Sequence, residues 1–258
     1  MRLNIIVCIK SVVLDVPQGP VVRSAESCEL NPFDRPALEL ALKLKELHGG
    51  TVTAVTMGPE SSTSALLEAM ALGVDRGILL SDPALSGSDT LATSTALAAA
   101  IHAIYPFDLL LFGTRTADSD TGQVGPQTSV LLDLPLVTGA HAVDILQTVM
   151  RVVRRADGFR EVFEVTLPAA LTVHPGAVQP RDITLYGIAS SFESRLIEKW
   201  GLKEIGLTPD QVGEAGSPTR VYALNRVKKD RICDFLPGPT EEMADELIRR
   251  LLETGLIK

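Results

Sequence analysis

Short apolar runs that alternate with amphipathic segments over residues 1 to 135 predict an α/β fold: a doubly wound, mostly parallel sheet with helices on both faces. Two further observations complete the prediction. After Leu134 the alternation gives way to strand-like runs joined by an Asp-Gly turn in "RADGFR", the mark of an antiparallel extension. From about residue 200 the chain is richer in Pro, Gly and charge, and it closes on the amphipathic run "EEMADELIRRLLETGLI". The predicted division is an α/β domain over 1–199 and a C-terminal arm with a terminal helix over 200–258.

The elements follow in order. "NIIVCIK" and "TVTAVTM" are short apolar runs bounded by polar residues, hence buried strands. Between them "DRPALELALKLKELHGG" is a helix with Leu38, Ala41, Leu42 and Lys45 at helical spacing. Asp34 is its expected N-cap, Pro36 is tolerated in the first turn, and Gly49–Gly50 ends it. "SSTSALLEAMALG" is a second helix, "RGILLS" a strand, "DTLATSTALAAAIHAI" a helix, "FDLLLFG" a strand and "TGQVGPQTSVLLDL" a helix. "LVTGAHAVDI", "TVMRVVRRADGFREVFEVTL" and "AALTVHP" then supply the strands of the expected antiparallel extension. The last helix is expected to be capped by Thr240, through a Thr-x-x-Met pattern that lacks the Glu of a full capping box.

The 258 residues carry a net charge of −8, which argues against a nucleic-acid or anionic-membrane surface. No stretch approaches the roughly 20 apolar residues of a membrane span. The apolar run of "MRLNIIVCIK" ends at Lys10, too early for a signal peptide. Cys8, Cys28 and Cys233, like the four histidines, lack metal-ligand or disulfide spacing, so no metal is expected and a reducing, cytoplasmic setting is.

"GTRTADSDTGQVGPQ", residues 113 to 127, lies between a buried strand and a helix. Asp120 with Gln123 three residues on fits a capping-box variant and accounts for those two residues. It leaves Thr114, Thr116, Asp118, Thr121 and further glycines unexplained. Hydroxyls beside unpaired helix-terminal amides suit a phosphate. Neither a dinucleotide fingerprint nor a P-loop is present. Two more polar loops, "NPFDRPALE" and "LLSDPALSGSDTLATS", fall at carboxyl ends of the same sheet, where α/β proteins bind ligands.

With these loops goes a resemblance. "IVCIK", "NPFDRPALELALKLKE", "VTAVTMGP", "ALGVDRGILLSD", "GTRTADSDTGQVGPQ" and "LPAALTV" together resemble the beta subunit of the electron-transfer flavoproteins over nearly the whole chain. The most specific is the run from Asp118 to Gln127. The resemblance implies an adenine-nucleotide-binding type of domain paired with an alpha subunit that holds the redox-active FAD. It implies a bound AMP in simple carriers and a second FAD, reduced by NADH, in electron-bifurcating members of the Fix type.

Carried over by position, it implies nucleotide contacts at Cys8, at Asn31, Pro32, Phe33 and Asp34, and at Met57 and Gly113. It extends them to Thr116, Ala117, Asp118, Ser119, Asp120, Thr121, Gly122, Gln123 and Val124. It also implies a recognition loop, "VQPRDITLYGI", with Leu185 at its protruding tip, for a dehydrogenase or quinone oxidoreductase. Ferredoxin or flavodoxin would be the low-potential acceptor of a bifurcating member.

The departures from simple carriers matter as much. Ser119 stands where many have a third acid, Arg115-Thr116 stand for Gln-Ala, and "ASSFESRLIEKW" stands for a lysine-rich run. Loss of one negative charge beside a diphosphate has the sign expected for FAD. A diphosphate also needs a second anchoring edge, which Ser88, Asp89, Thr90 and Thr93 would supply. The residues argue against two other classes: a stand-alone nucleotide-binding regulatory domain, which would need no arm, and an adenylating or ATP-cleaving enzyme, which would need a phosphate-gripping lysine or a P-loop.

Overall fold

The run LNIIVC forms strand β1, Leu3–Cys8, buried except at Asn4 because parallel neighbours flank it and helices cover both faces. The computed structural model describes residues 1–14, 24, 27–193, 197–222 and 233–257. After β1 come a two-residue pairing of β2 (Ser11–Val12) with β3 (Glu29–Leu30), helix α1 (Arg35–His48) and β4 (Gly50–Met57). Then follow α2 (Thr63–Leu72), β5 (Arg76–Leu80), α3 (Thr90–Ile104), β6 (Leu109–Gly113) and α4 (Val124–Leu131). The second half holds β7 (Leu136–Leu146), β8 (Val149–Ala156), β9 (Phe159–Thr166), β10 (Ala169–Val173), α5 (Leu185–Glu193) and β11 (Ile197–Trp200). Short helices α6 (Leu202–Ile205) and α7 (Gly213–Gly216) and the longer α8 (Thr240–Glu253) complete the chain.

Nine of these strands form one sheet in the order β11-β5-β4-β1-β6-β10-β7-β8-β9. It is parallel from β11 to β7, and antiparallel from β7 through β8 to β9. Side chains alternate across it. Leu3, Ile5 and Val7 of β1 join Leu38 and Leu42 of α1 and Leu66 of α2 in one core. Ile6 and Cys8 join Ala96, Ala100 and Ile101 of α3 in the other, with Leu202 and Ile205 of α6. The predicted doubly wound α/β class is therefore what the chain adopts.

Several local expectations are corrected. "AALTV" is not part of the antiparallel extension: β10 inserts parallel between β6 and β7, pairing Leu171 with both Leu111 and Val137. All five of its residues are buried, as an interior strand requires, whereas exposure alternates along much of β9. The segment "IEKW" adds β11 as a parallel edge beside β5. Asp34 occupies the N-cap position of α1 without capping it, because its carboxylate bonds the Lys10 amide instead. Thr240 is the first residue of α8, and the N-cap position falls to Pro239.

The chain divides into two units, Met1–Arg220 and Val221–Lys258. Residues 200 to 220 thus belong with the sheet, where Leu202, Ile205 and Val212 are buried in the α3-side core. In the second unit α8 carries no buried residue. Arg249 bonds Glu246 and Glu253, each at 2.6 Å, along its surface. Among the described residues no helix is long and apolar enough to cross a membrane.

Candidate functional site

Strand order reverses at β1, with β4 and β5 to one side and β6 to the other. The crevice outside the carboxyl ends of β1 and β6 is therefore the topological switch point, the place where such sheets bind ligands. Cys8 ends β1 and Gly113 ends β6. Asn31, Pro32, Phe33 and Asp34 reach the same crevice from the turn before α1, since the Asn31 amide donates to the Lys10 carbonyl at 2.9 Å. Their approach is close: a Cβ on Gly113 would lie 2.2 Å from Asp34 Oδ1 and 2.6 Å from the Phe33 carbonyl oxygen. Only glycine fits there. Met57 ends the neighbouring β4, half-buried against the α3-side core.

A buried asparagine organises the loop after β6. Asn31 is wholly buried, and its Nδ2 donates to the Arg115 carbonyl at 2.9 Å. Its Oδ1 accepts from the Ala117 amide at 3.1 Å. Both side-chain ends thus replace water with backbone partners, which fixes residues 115 to 117 against the turn. Among the described residues two cations stand over this frame. Lys10 Nζ reaches Asp118 at 2.8 Å, linking the end of β1 to the loop after β6. The Arg115 guanidinium lies 4.4 Å over the Phe33 ring and pairs with Asp120 at 3.2 Å. Neither cation was among the candidate site residues read from sequence. The signal for Arg115 was its departure from the Gln of simple carriers.

Burial sets the protonation of the crevice floor. It pushes the Asp34 carboxyl up to about 7, against the opposing bonds from the Lys10 amide and Asn31 and the charge of Lys10. Burial, and then the negative charge of Asp34, push the Cys8 thiol far up, so Cys8 is a neutral wall and not a nucleophile.

The helix after the loop begins later than expected. Asp120 does not cap it: its φ of +54° is left-handed, and its amide bonds the Thr116 carbonyl at 2.9 Å to close a turn. Helix α4 starts at Val124 with Gln123 at the N-cap position and no side-chain cap. Gln123 instead accepts a bond from the Thr90 hydroxyl at 3.0 Å. The first turn of α4 therefore keeps its Val124 and Gly125 amides free of a side-chain cap, while Pro126 has no amide hydrogen to offer. Gly122, at φ +61°, keeps the approach bare of a side chain. Thr116 and Ser119 bond each other through their hydroxyls at 2.8 Å, and Ala117 and Thr121 are exposed on the rim.

The second edge, at α3, is built differently. Asp89 caps α3 by accepting from the Leu91 and Ala92 amides, both at 3.0 Å. Its other oxygen accepts from the Thr219 amide at 3.1 Å and hydroxyl at 2.7 Å. Ser88 Oγ accepts from the Gly213 amide, and the Asp89 amide donates to Ser217 Oγ. Partial burial works to raise the Asp89 carboxyl, yet the bonds from Ala92, Thr219 and Leu91 hold it below the usual carboxylate range. An anionic, fully engaged cap leaves little for a diphosphate. Thr90 joins the crevice through Gln123, and Thr93 sits half-buried one turn further along.

Leu185 is the first residue of α5 and not the tip of a loop, and it is 87% exposed. Tyr186 and Phe192 are exposed on the same helix. The helix is held at two points. A Cβ on Gly187 would lie 2.2 Å from the Ala71 carbonyl of α2, so α5 touches the α2 backbone. Arg181, just before α5, donates to the buried Glu39 of α1 through its amide, Nε and Nη2, and to Glu46 through Nη1.

Residues 19–192 match the family described as "Electron transfer flavoprotein domain". The chain is 36% identical to the caffeyl-CoA reductase-Etf complex subunit CarD of Acetobacterium woodii, over 99% of this chain and 100% of CarD. It is 37% identical to protein FixA of Rhizobium meliloti, over 95% and 90% of the two chains. It is 33% identical to the electron transfer flavoprotein subunit beta of Clostridium acetobutylicum, over 99% and 100%.

Proposed function

As the chain belongs to the electron transfer flavoprotein family and matches its beta subunits over nearly their full length, we propose that this beta subunit holds FAD in the β1–β6 crevice. In this reading it passes electrons, with its alpha subunit, from a dehydrogenase or NADH to a downstream acceptor. The observation that carries the nucleotide reading is the uncapped N-terminus of α4 at the switch point, beside the bare backbone of Gly113 and Gly122. FAD, when bound, supplies the redox chemistry. The chain's own residues bind and orient. Asn31 fixes the loop backbone, Phe33 and Arg115 form one wall, Asp34 and Cys8 close the floor, and the α4 amides take the phosphate.

Ser119 in place of a third acid supports FAD, as does 37% identity to FixA, since Fix-type resemblance implies FAD in this subunit. Electron bifurcation from NADH towards ferredoxin or flavodoxin belongs to the same reading, as does a cytoplasmic setting. Docking of a dehydrogenase or quinone oxidoreductase at the exposed Leu185 is part of it too. One observation favours the second reading, a structural AMP: Ser88 and Asp89 are already engaged with residues 213 to 219 and offer no open second phosphate edge. Acid extraction of the alpha–beta complex followed by chromatography separates the two. Two FAD per heterodimer supports the first reading. One FAD with one AMP overturns it and leaves the AMP carrier.

A further inference from the structure

We infer that Arg115 is the residue by which this crevice selects a diphosphate over a monophosphate, using its guanidinium as the second phosphate site that the α3 edge does not provide. The inference rests on the reading that the crevice takes an adenine nucleotide. Three observations carry it.

The first is placement. Asn31 bonds the Arg115 carbonyl and the Ala117 amide, so the Arg115 backbone is fixed to the crevice by a wholly buried side chain. The second is the wall it rests on. The guanidinium lies 4.4 Å over the Phe33 ring, a cation–π contact that holds it at the crevice wall. The third is the weakness of its present partner. Asp120 pairs with Arg115 at 3.2 Å, but the two side chains are 62% and 50% exposed, and such an ion pair in water is close to break-even. A phosphate offers more charge and a bidentate match to the guanidinium fork, so it displaces Asp120 without a large opposing cost.

Among the described residues Lys10 is the other cation of the crevice, but its ammonium is bonded to Asp118 at 2.8 Å and lacks the planar fork. The helix terminus of α4 takes one phosphate. Asp120 and Gly122, both at positive φ, lie in the loop between Arg115 and that helix. A nucleotide whose first phosphate rests on α4 meets Arg115 with its next. A monophosphate does not need it.

The test titrates the nucleotide-free alpha–beta complex with ADP and with AMP, comparing wild type with Arg115→Gln, Arg115→Lys and Asp120→Asn. An unchanged thermal midpoint serves as the folding control. Arg115→Gln is expected to lower ADP affinity about tenfold more than AMP affinity. Arg115→Lys should fall between, because it keeps the charge but not the fork, and Asp120→Asn should strengthen ADP binding severalfold. Equal loss of ADP and AMP in Arg115→Gln, or no loss of either, overturns the inference. The extraction experiment on wild type stays separate. If wild type yields AMP and the ADP preference still falls in Arg115→Gln, the FAD reading fails and the role of Arg115 stands. If wild type yields FAD and the preference does not move, the reverse holds.

Discussion

Asp34 shows how one residue joins structure to site. Its carboxylate accepts the Lys10 amide at 2.7 Å instead of capping its own helix, and burial raises its pKa from the ordinary 3.8 to about 7. The folded state therefore holds a proton that the unfolded chain has released between about pH 4 and 7. Its stabilising contribution is complete below the unfolded value and is lost as pH rises through the folded one. Asp34→Asn carries no titrating group at this position. Relative to wild type, nucleotide-free Asp34→Asn should gain on the order of 2 kcal/mol between pH 5 and pH 8, most of it below pH 7.5. Urea midpoints at pH 5, 6.5 and 8 measure the gain, and a difference that is flat with pH would remove the buried titration. What sequence showed here was the motif "NPFD". That its acid turns inward to β1 depends on Gly113 admitting the turn, a close approach between residues 79 positions apart in the chain.

Among the elements, α3 and the 213–219 segment form one unit although more than a hundred residues separate them. Asp89 ties them, accepting two amides of α3 and two donors of Thr219. In sequence these were two separate stretches, the first suggestive of a ligand and the second part of an arm; together they satisfy one another. Asp89→Ala removes a helix cap and the tie at once and should destabilise the protein by about 2 kcal/mol. Asp89→Asn keeps an oxygen for the α3 amides and should lose less. Urea unfolding at pH 7 with an unchanged slope checks both, and equal losses would mean that the acidic charge, not the cap, matters. Helix α4 teaches the complement. Its capping-box spacing was present, but the left-handed turn at Asp120 moved the start to Val124 and left the terminus open.

At the scale of the molecule, the first unit holds the buried cores, whereas the terminal helix of the second buries none of its residues. Along that helix, α8, Leu247, Ile248 and Leu252 are about half exposed. An apolar stripe of this kind marks a surface for a partner, and beta subunits of this family pair with an alpha subunit. The chain expressed alone should aggregate or run as a poorly folded species in size exclusion with light scattering. Co-expression with its alpha subunit should give a 1:1 complex. A monodisperse single chain with the thermal midpoint of the complex would show that α8 needs no such cover.

The alternation of apolar runs and helices determined by itself the doubly wound sheet, its strands in the first half, and the loops that meet at its carboxyl edge. These are local properties: a period of two or 3.6 residues, a glycine stop, a proline in a first turn. The motif from Asp118 to Gln127 likewise carried the family. Tertiary structure alone decided that "AALTV" lies inside the sheet and not at its edge, that "IEKW" extends it, and that Leu185 begins a helix. It alone brought Arg115 over Phe33, Asp89 to Thr219 and Asn31 to the loop after β6. Each of these is a pairing between distant residues, and no window along the chain contains both partners.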